Sequence, residues 1–233
     1  MKKYILKYSF EFLVIFLGIL ISLYFEQSRQ NRLEKERKNN SISQLITVLD
    51  EDIIQIDAFI QLQEMSYKST NIIYDNLRNN YQISDDSIIY HISSVGRALK
   101  SFFPQEGIFN QLISSDLIKR IESEELKNKL FKLYNEELRR HDVHTKEYDN
   151  FFIKFNYSLS ENFFLEHNWS TNPNDEKKIK IINYRFNRKY YKSDAFFADI
   201  IESKKSIMAY LAELNYLKKS FNDLKVLCFN EIN

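Results

Sequence analysis

Glycine and proline are nearly missing: three and two in 233 residues, where average usage gives about 28 of the two together. That shortage excludes most turn-dense all-β folds, glycine-rich phosphate loops and proline-rich disorder. A single cysteine excludes intrachain disulfides and thiolate metal clusters. An excess of one charge is missing too. The chain has 33 Lys and Arg against 32 Asp and Glu, a formal charge of +1, so no global field recruits nucleic acid. What is abundant is apolar: 44% hydrophobic residues, 15% aromatic, enough for a packed core and too much for a disordered chain. The length suits one good-sized domain and is too small for a multidomain enzyme.

The longest uncharged run is Phe12, Leu13, Val14, Ile15, Phe16, Leu17, Gly18, Ile19, Leu20 and Ile21, continuing to Phe25. Extended back to Tyr8 it contains one carboxylate, Glu11, and approaches the roughly 20 apolar residues that cross a bilayer. Tyr4, Tyr8 and Tyr24 fall where amphipathic rings anchor at the interfaces. A cleaved signal peptide needs small residues near its end, and Leu23, Tyr24 and Phe25 occupy that place. The reading is an uncleaved signal anchor over residues 10–25. Glu11, a turn from the membrane edge, stays hydrated or meets a partner helix. Lys2, Lys3 and Lys7 flank one side and Arg29, Arg32, Lys35, Arg37 and Lys38 the other, a count that slightly favours a cytoplasmic carboxyl side. Against it, the short tail with its three lysines resists translocation, whereas long domains cross largely regardless of their charge. Residues 1–9 are therefore expected to be a cytoplasmic tail, with the carboxyl-terminal domain outside.

Residues 26–40 turn abruptly polar and alternate Arg, Glu and Lys, which continues the helix as a charged stalk. Asn39, Asn40 and Ser41 read as a break or cap. Ile42, Ile46, Leu49, Ile53, Ile56 and Ile60 then recur at alternating steps of four and three, a heptad seam that packs on another helix. Gln63, Thr70 and Leu77 continue its phase, and Leu45 and Ile73 widen it. A medium helix is expected from Ser87 to Phe103, stopped by Pro104, and a short one from Gln105 to Leu112. Ser123, Glu124 and Glu125 open a long helix running to about Leu165. Lys178 to Phe186 alternates like a short strand or irregular clamp. Ser193 and Asp194 cap the last helix, whose Phe197, Ile200, Ile207, Leu211, Leu214, Leu217, Phe221, Leu224 and Cys228 make a core face. The expected fold is all-α: a transmembrane helix leading into an elongated antiparallel bundle over residues 41–233, with long helices near 41–79, 123–165 and 194–230.

Two stretches carry a resemblance. Glu11 to Leu23, with Gly18-Ile19-Leu20-Ile21-Ser22-Leu23 at its centre, is followed by a charged stalk. Phe103-Pro104 is followed by Phe109, Leu112, Ser115, Leu117, Ile118, Glu125-Leu126 and Tyr134. Together they resemble a family of uncharacterised bacterial membrane proteins common in Bacteroidetes. Asp116 stands where that family often has glycine, and Ser28 to Asn31 lacks its usual Asn-Trp-Asn. The resemblance implies a single-pass anchor and a helical exterior domain, with no catalytic residues to carry over.

Sites are few. Glu137, His141 and His144 share a helical face at i, i+4 and i+7, a spacing that can bind zinc or iron. A di-metal bundle also needs Glu-x-x-His pairs on facing helices, and none occurs, so a polar helix boundary is the expected role and no metal or cofactor is assigned. Asp50, Glu51, Asp52 and Asp57 read as the solvated flank of the seam. Without a nucleophile-elbow motif no hydrolase triad is expected, and Cys228 reads as a buried thiol. Lys180, Arg185, Arg188 and Lys189 interleave with Tyr184, Phe186, Tyr190 and Tyr191. That pattern suits anionic lipid or an acidic partner, since an exterior domain meets no nucleic acid. The functional expectation is a non-enzymatic scaffold or interaction protein of an envelope complex in a bacterial inner membrane. Its partners would be membrane lipid and another membrane or envelope protein, or a second copy of itself. The alternative is a periplasmic ligand-sensing module acting through a partner.

Overall fold

The computed structural model describes residues 2–79, 83–168 and 181–232, with side chains from Phe10 onward. Among the described residues the fold is all-α apart from one two-stranded antiparallel sheet. α1 is a single helix, Lys2–Asn79. It contains no proline, and its one glycine, Gly18, stands in open space. The expected break at Asn39 to Ser41 does not occur. Asparagine costs a helix only a fraction of a kcal/mol, and burial of Lys38, Ser41 and Ile42 around it outweighs that cost.

The heptad on α1 is real, but one of its two series is displaced. Ile42, Leu49, Ile56, Gln63 and Thr70 are buried at seven-residue intervals. The second buried series is Lys38, Leu45, Asp52, Ser66 and Ile73, one residue before the expected Ile46, Ile53 and Ile60. Ile46 is still buried beside it, whereas Ile53 and Ile60 are half-buried at the edge. The polar members hold partners: Gln63 Nε2 donates to the carbonyl of Ala98 (3.0 Å) and Ser66 Oγ to that of Ser94 (3.0 Å). A hydrophobic pattern cannot register a seam with so many polar residues in it.

α2 spans Asp85–Gly96, with Ser84 as its cap accepting from the Ser87 amide and two aspartates in its first turn. It ends well short of Phe103. Gly96 lies against a later helix at Asn156, where a Cβ would sit 2.6 Å from Asn156 Oδ1, and Asn156 Nδ2 donates to the Gly96 carbonyl at 3.0 Å. The carbonyls of Ala98 and Lys100, freed from the helix, accept from Gln63 instead. α3 is Gly107–Ser114, followed by a 3-10 turn, Leu117–Arg120. Between them Asp116 has φ 58°, the left-handed conformation that glycine adopts most readily and Asp tolerates.

α4 (Glu124–Lys132) is capped by Ser123 Oγ, which accepts from the Leu126 amide. It passes through a π-helical turn, Leu133–Glu137, into α5, Leu138–Asn162. This is the long helix expected from Ser123, ending three residues early because Phe164 enters a strand. β1 (Phe164–His167) pairs antiparallel with β2 (Ile181–Arg185); the expected clamp supplies β2, and β1 was not foreseen. α6 is Arg188–Tyr191 and α7 is Asp194–Ile232, whose first turn is capped by Ser193.

The chain forms two compact units. The first contains residues 1–48, 106–130 and 224–233. Its core gathers Ile42, Leu45, Phe109, Leu112, Leu126, Leu130 and Leu224, and Cys228 is buried there as expected, its thiol pushed up to about 12 by burial and by Glu231. The second contains residues 49–105 and 131–223, with Phe102, Phe152, Phe163, Phe196 and Phe221 among its fully buried rings.

Candidate functional site

Two features stand out, the exposed start of α1 and a buried polar centre in the second unit. Among the described residues α1 is the one helix apolar and long enough to cross a membrane, and none of its apolar window is buried. From Phe10 to Phe25 the large apolar side chains are 45% to 73% exposed. Contiguous exposed apolar surfaces of this size mark interaction sites, with a membrane or with another protein.

The polar centre is built by α5, α7 and the segment between α2 and α3. Glu137, the last residue of the π-helical turn, points to α7. Its carboxylate accepts from Tyr216 Oη at 2.9 Å and Ser220 Oγ at 2.5 Å, with Lys132 Nζ at 3.7 Å. A π turn inserts one residue into the helical count and often marks a site where a side chain has been re-aimed. One turn on, His141 is 2% exposed. Its Nε2 lies 3.2 Å from the Phe102 carbonyl and 3.3 Å from Thr145 Oγ1. The carbonyl accepts only, so the proton is on Nε2. Burial holds the imidazole below its ordinary pKa, against the opposing effects of that carbonyl and Glu213. Tyr210 stacks on His141 (6.0 Å) and Tyr148 (4.3 Å), and its hydroxyl accepts from the Phe102 amide at 2.8 Å.

The expected trio therefore divides. Glu137 is occupied by the hydroxyls of α7, while His141 and His144 turn to a carboxylate not singled out from the sequence, Glu213. Its Oε1 lies 3.9 Å from His141 Nδ1 and its Oε2 lies 3.7 Å from His144 Nδ1. Among the described residues no group of three or more His, Cys, Asp or Glu side chains could hold a metal ion. The signal for Glu213 was its three-residue spacing from Tyr210 on α7, a polar edge beside the apolar face of Leu214 and Leu217.

The acidic cluster is corrected at one position. Asp52 is not on a solvated flank but fully buried, accepting from the Gln105 amide at 3.1 Å and from Gln105 Nε2 at 3.4 Å. Burial raises its carboxyl to about 6, against the lowering effect of those bonds. Because the folded value exceeds the ordinary value of about 3.9, the protonated acid favours the folded state. That contribution is full below about pH 4 and is lost as pH rises through about 6. Two pKa units correspond to about 3 kcal/mol. Asp52→Asn keeps an acceptor for Gln105 without the charge, so it is expected to stabilise the protein by about 2 kcal/mol at pH 7.5. Denaturation of both proteins at pH 3.5 and 7.5 checks this: the gain should be near zero at the lower pH.

Of the basic and aromatic residues near β2, Lys180 lies outside the described residues. Arg185 is exposed, with its guanidinium over the Phe164 ring at 5.2 Å, and Lys189 is exposed. Arg188 forks onto Asp85 at 2.6 and 2.8 Å, so its charge is already matched. Tyr191 is buried, its hydroxyl donating to Asn76 Oδ1 at 2.6 Å. Compared with known proteins, the chain matches no family model, no curated protein and no solved structure.

Proposed function

We propose that the chain is a membrane-anchored helical scaffold, a non-enzymatic interaction subunit of an envelope complex in a bacterial inner membrane. The supporting observation is the continuity of α1. One helix carries a fully exposed apolar window at Phe10 to Phe25 and, with no break, the buried positions Ile42, Leu45 and Ile46 of the first unit. A signal peptide has no reason to share a helix with a domain core.

The pairings of α1 with α7 support the antiparallel bundle. Asp57 meets Lys218, Tyr67 meets Met208 and Tyr74 meets Phe197, so one helix ascends as the other descends. The basic flank of Lys2, Lys3 and Lys7 favours a cytoplasmic amino end and an exterior, periplasmic domain. The family resembled by the anchor has the same plan.

The test joins fractionation and a fusion. The wild-type chain is expected in the membrane pellet after alkaline carbonate extraction, and an alkaline phosphatase fused to its carboxyl terminus is expected to be active. Leu17→Arg with Leu20→Arg, each costing about 2.5–3.5 kcal/mol of insertion, should release it to the soluble fraction. Recovery of the wild type as a soluble protein would sink the anchor; a well-expressed, inactive fusion would reverse the orientation. Crosslinking in membranes followed by mass spectrometry then identifies the stoichiometric partner, be it another protein or a second copy.

A further inference from the structure

With its proton on Nε2, the buried ring of His141 presents a bare lone pair at Nδ1, and that nitrogen has no hydrogen-bond partner. It faces Glu213 Oε1 on α7, 3.9 Å away. Two acceptors so placed repel, and a buried acceptor without a donor has lost the hydrogen bond it made in water. The other carboxylate oxygen stands 3.7 Å from Nδ1 of His144, one turn further along α5. An N–H···O bond spans about 2.7–3.2 Å, so one carboxylate faces two imidazoles across two gaps that are not hydrogen bonds. What the arrangement lacks is a donor hydrogen, and a proton on an imidazole supplies one.

We propose that His141, Glu213 and His144 form a proton-operated clasp between α5 and α7, open while the imidazoles are neutral and drawn shut on the carboxylate when they are protonated. A proton taken from water onto His141 Nδ1 turns that acceptor into a charged donor aimed at Oε1. Charge-assisted N–H···O bonds measure about 2.7–2.9 Å, so closure brings the two atoms together by about 1 Å. His141 is fixed by the Phe102 carbonyl and Thr145. The movement falls to the Glu213 side chain, 19% exposed, and to that of His144, which at 58% exposed is also where protons enter. The charges acting on His141 come from both helices. Its own helix brings Asp142, which favours the protonated ring, and His144, which opposes it. From α7 come Glu213, which favours it, and the stacked Tyr210 ring, while the segment at Phe102 offers its carbonyl. Glu137, a turn before, is occupied by Tyr216 and Ser220. Burial outweighs these favourable neighbours and holds the His141 pKa below its ordinary value. The ring therefore contributes stability that is full above the ordinary histidine pKa of about 6.5 and is lost as pH falls through the lower folded value. Glu213 limits that loss. The clasp works on either side of a membrane, and on the exterior side it reads the pH of the surroundings.

The experiment compares the full chain with Glu213→Gln, both purified in detergent, by thermal denaturation at pH 8.0 and 5.5. A glutamine amide can donate to the bare Nδ1 of a neutral His141 but offers no counter-charge to a protonated one. The variant is therefore expected to melt above the wild type at pH 8.0 and below it at pH 5.5. A carboxylate that only fills space or holds the two helices together would move the melting temperature in the same direction at both. NMR of the histidine rings reads the proton directly. The titration midpoint of His141 is expected to move to lower pH in Glu213→Gln, while that of His167, outside the clasp, stays where it is. A melting difference of one sign at both pH values, or a His141 midpoint that does not move, overturns the proposal.

Discussion

Glu231→Ala is expected to destabilise the protein by about 3–5 kcal/mol, the range for removing one partner of a buried ion pair. Glu231 closes three contacts at once. Lys38 Nζ donates to it at 2.5 Å, with the two side chains 1% and 3% exposed. The amides of Glu122 and Ser123, which lead into α4, donate at 2.8 and 2.9 Å. Without the carboxylate a buried ammonium and two amides lose their acceptor. Burial alone would raise the Glu231 pKa, but Lys38 and the two amides outweigh it and hold the group below its ordinary value. Its stabilising contribution is thus full above the ordinary glutamate pKa of about 4.3 and is lost as pH falls through the depressed folded value. Lys38→Met should cost a similar amount, whereas Lys38→Met with Glu231→Met should recover much of the loss, because an apolar pair carries no uncompensated charge. Chemical denaturation of these variants, together with Glu231→Met, in detergent measures the cycle. A loss below about 1 kcal/mol for Glu231→Ala would mean that the pair is solvated and the argument fails.

The same pair explains a limit of sequence reading. Lys38 sits in a run of alternating charges, and nothing local distinguishes it from Lys35 or Arg37; its partner lies 193 residues away. Burial of such a residue depends on a partner that periodicity cannot find. The same holds for Asp52, paired with Gln105, and for Asn76, paired with Tyr191. The apolar half of the design was legible: the run from Phe12, the heptad interval through Ile42, Leu49 and Ile56, and the face of α7 at Leu214, Leu217 and Phe221 all follow from spacing. Helix starts with Ser at the cap were legible for α4 and α7 because the signal is local. Helix ends were not. α2 stops at Gly96 through a contact with Asn156 on α5, and α5 stops at Asn162 because Phe164 enters a strand whose partner begins at Ile181. In the polar centre, His141 and His144 stood out by type, but their partner Glu213 lies 72 and 69 positions on and needed the packing of α5 on α7 to be seen.

Phe102→Ala is the second large effect, expected to cost about 3–5 kcal/mol. Phe102 lies on the irregular segment after α2, where sequence reading expected a helix, yet it is fully buried. Its ring meets Phe59 at 6.5 Å, Phe221 at 6.1 Å in a T-shaped contact and His141 at 5.8 Å. Its backbone is also committed, the amide to Tyr210 Oη and the carbonyl to His141 Nε2. Truncation removes the ring from between three helices, and helices already tied by polar contacts cannot collapse to fill the space. Tyr148 Oη, for example, holds α5 to the same segment through the Ala98 carbonyl at 2.7 Å. Phe102→Leu keeps most of the volume and should cost about 1.5 kcal/mol or less. If volume is what matters, urea denaturation will separate the two variants by at least about 1.5 kcal/mol. Equal losses would instead assign the stability to the aromatic contacts with Phe221 and His141. Equally small losses would mean that the segment can repack, and that the polar bonds of its backbone hold the second unit together without the ring.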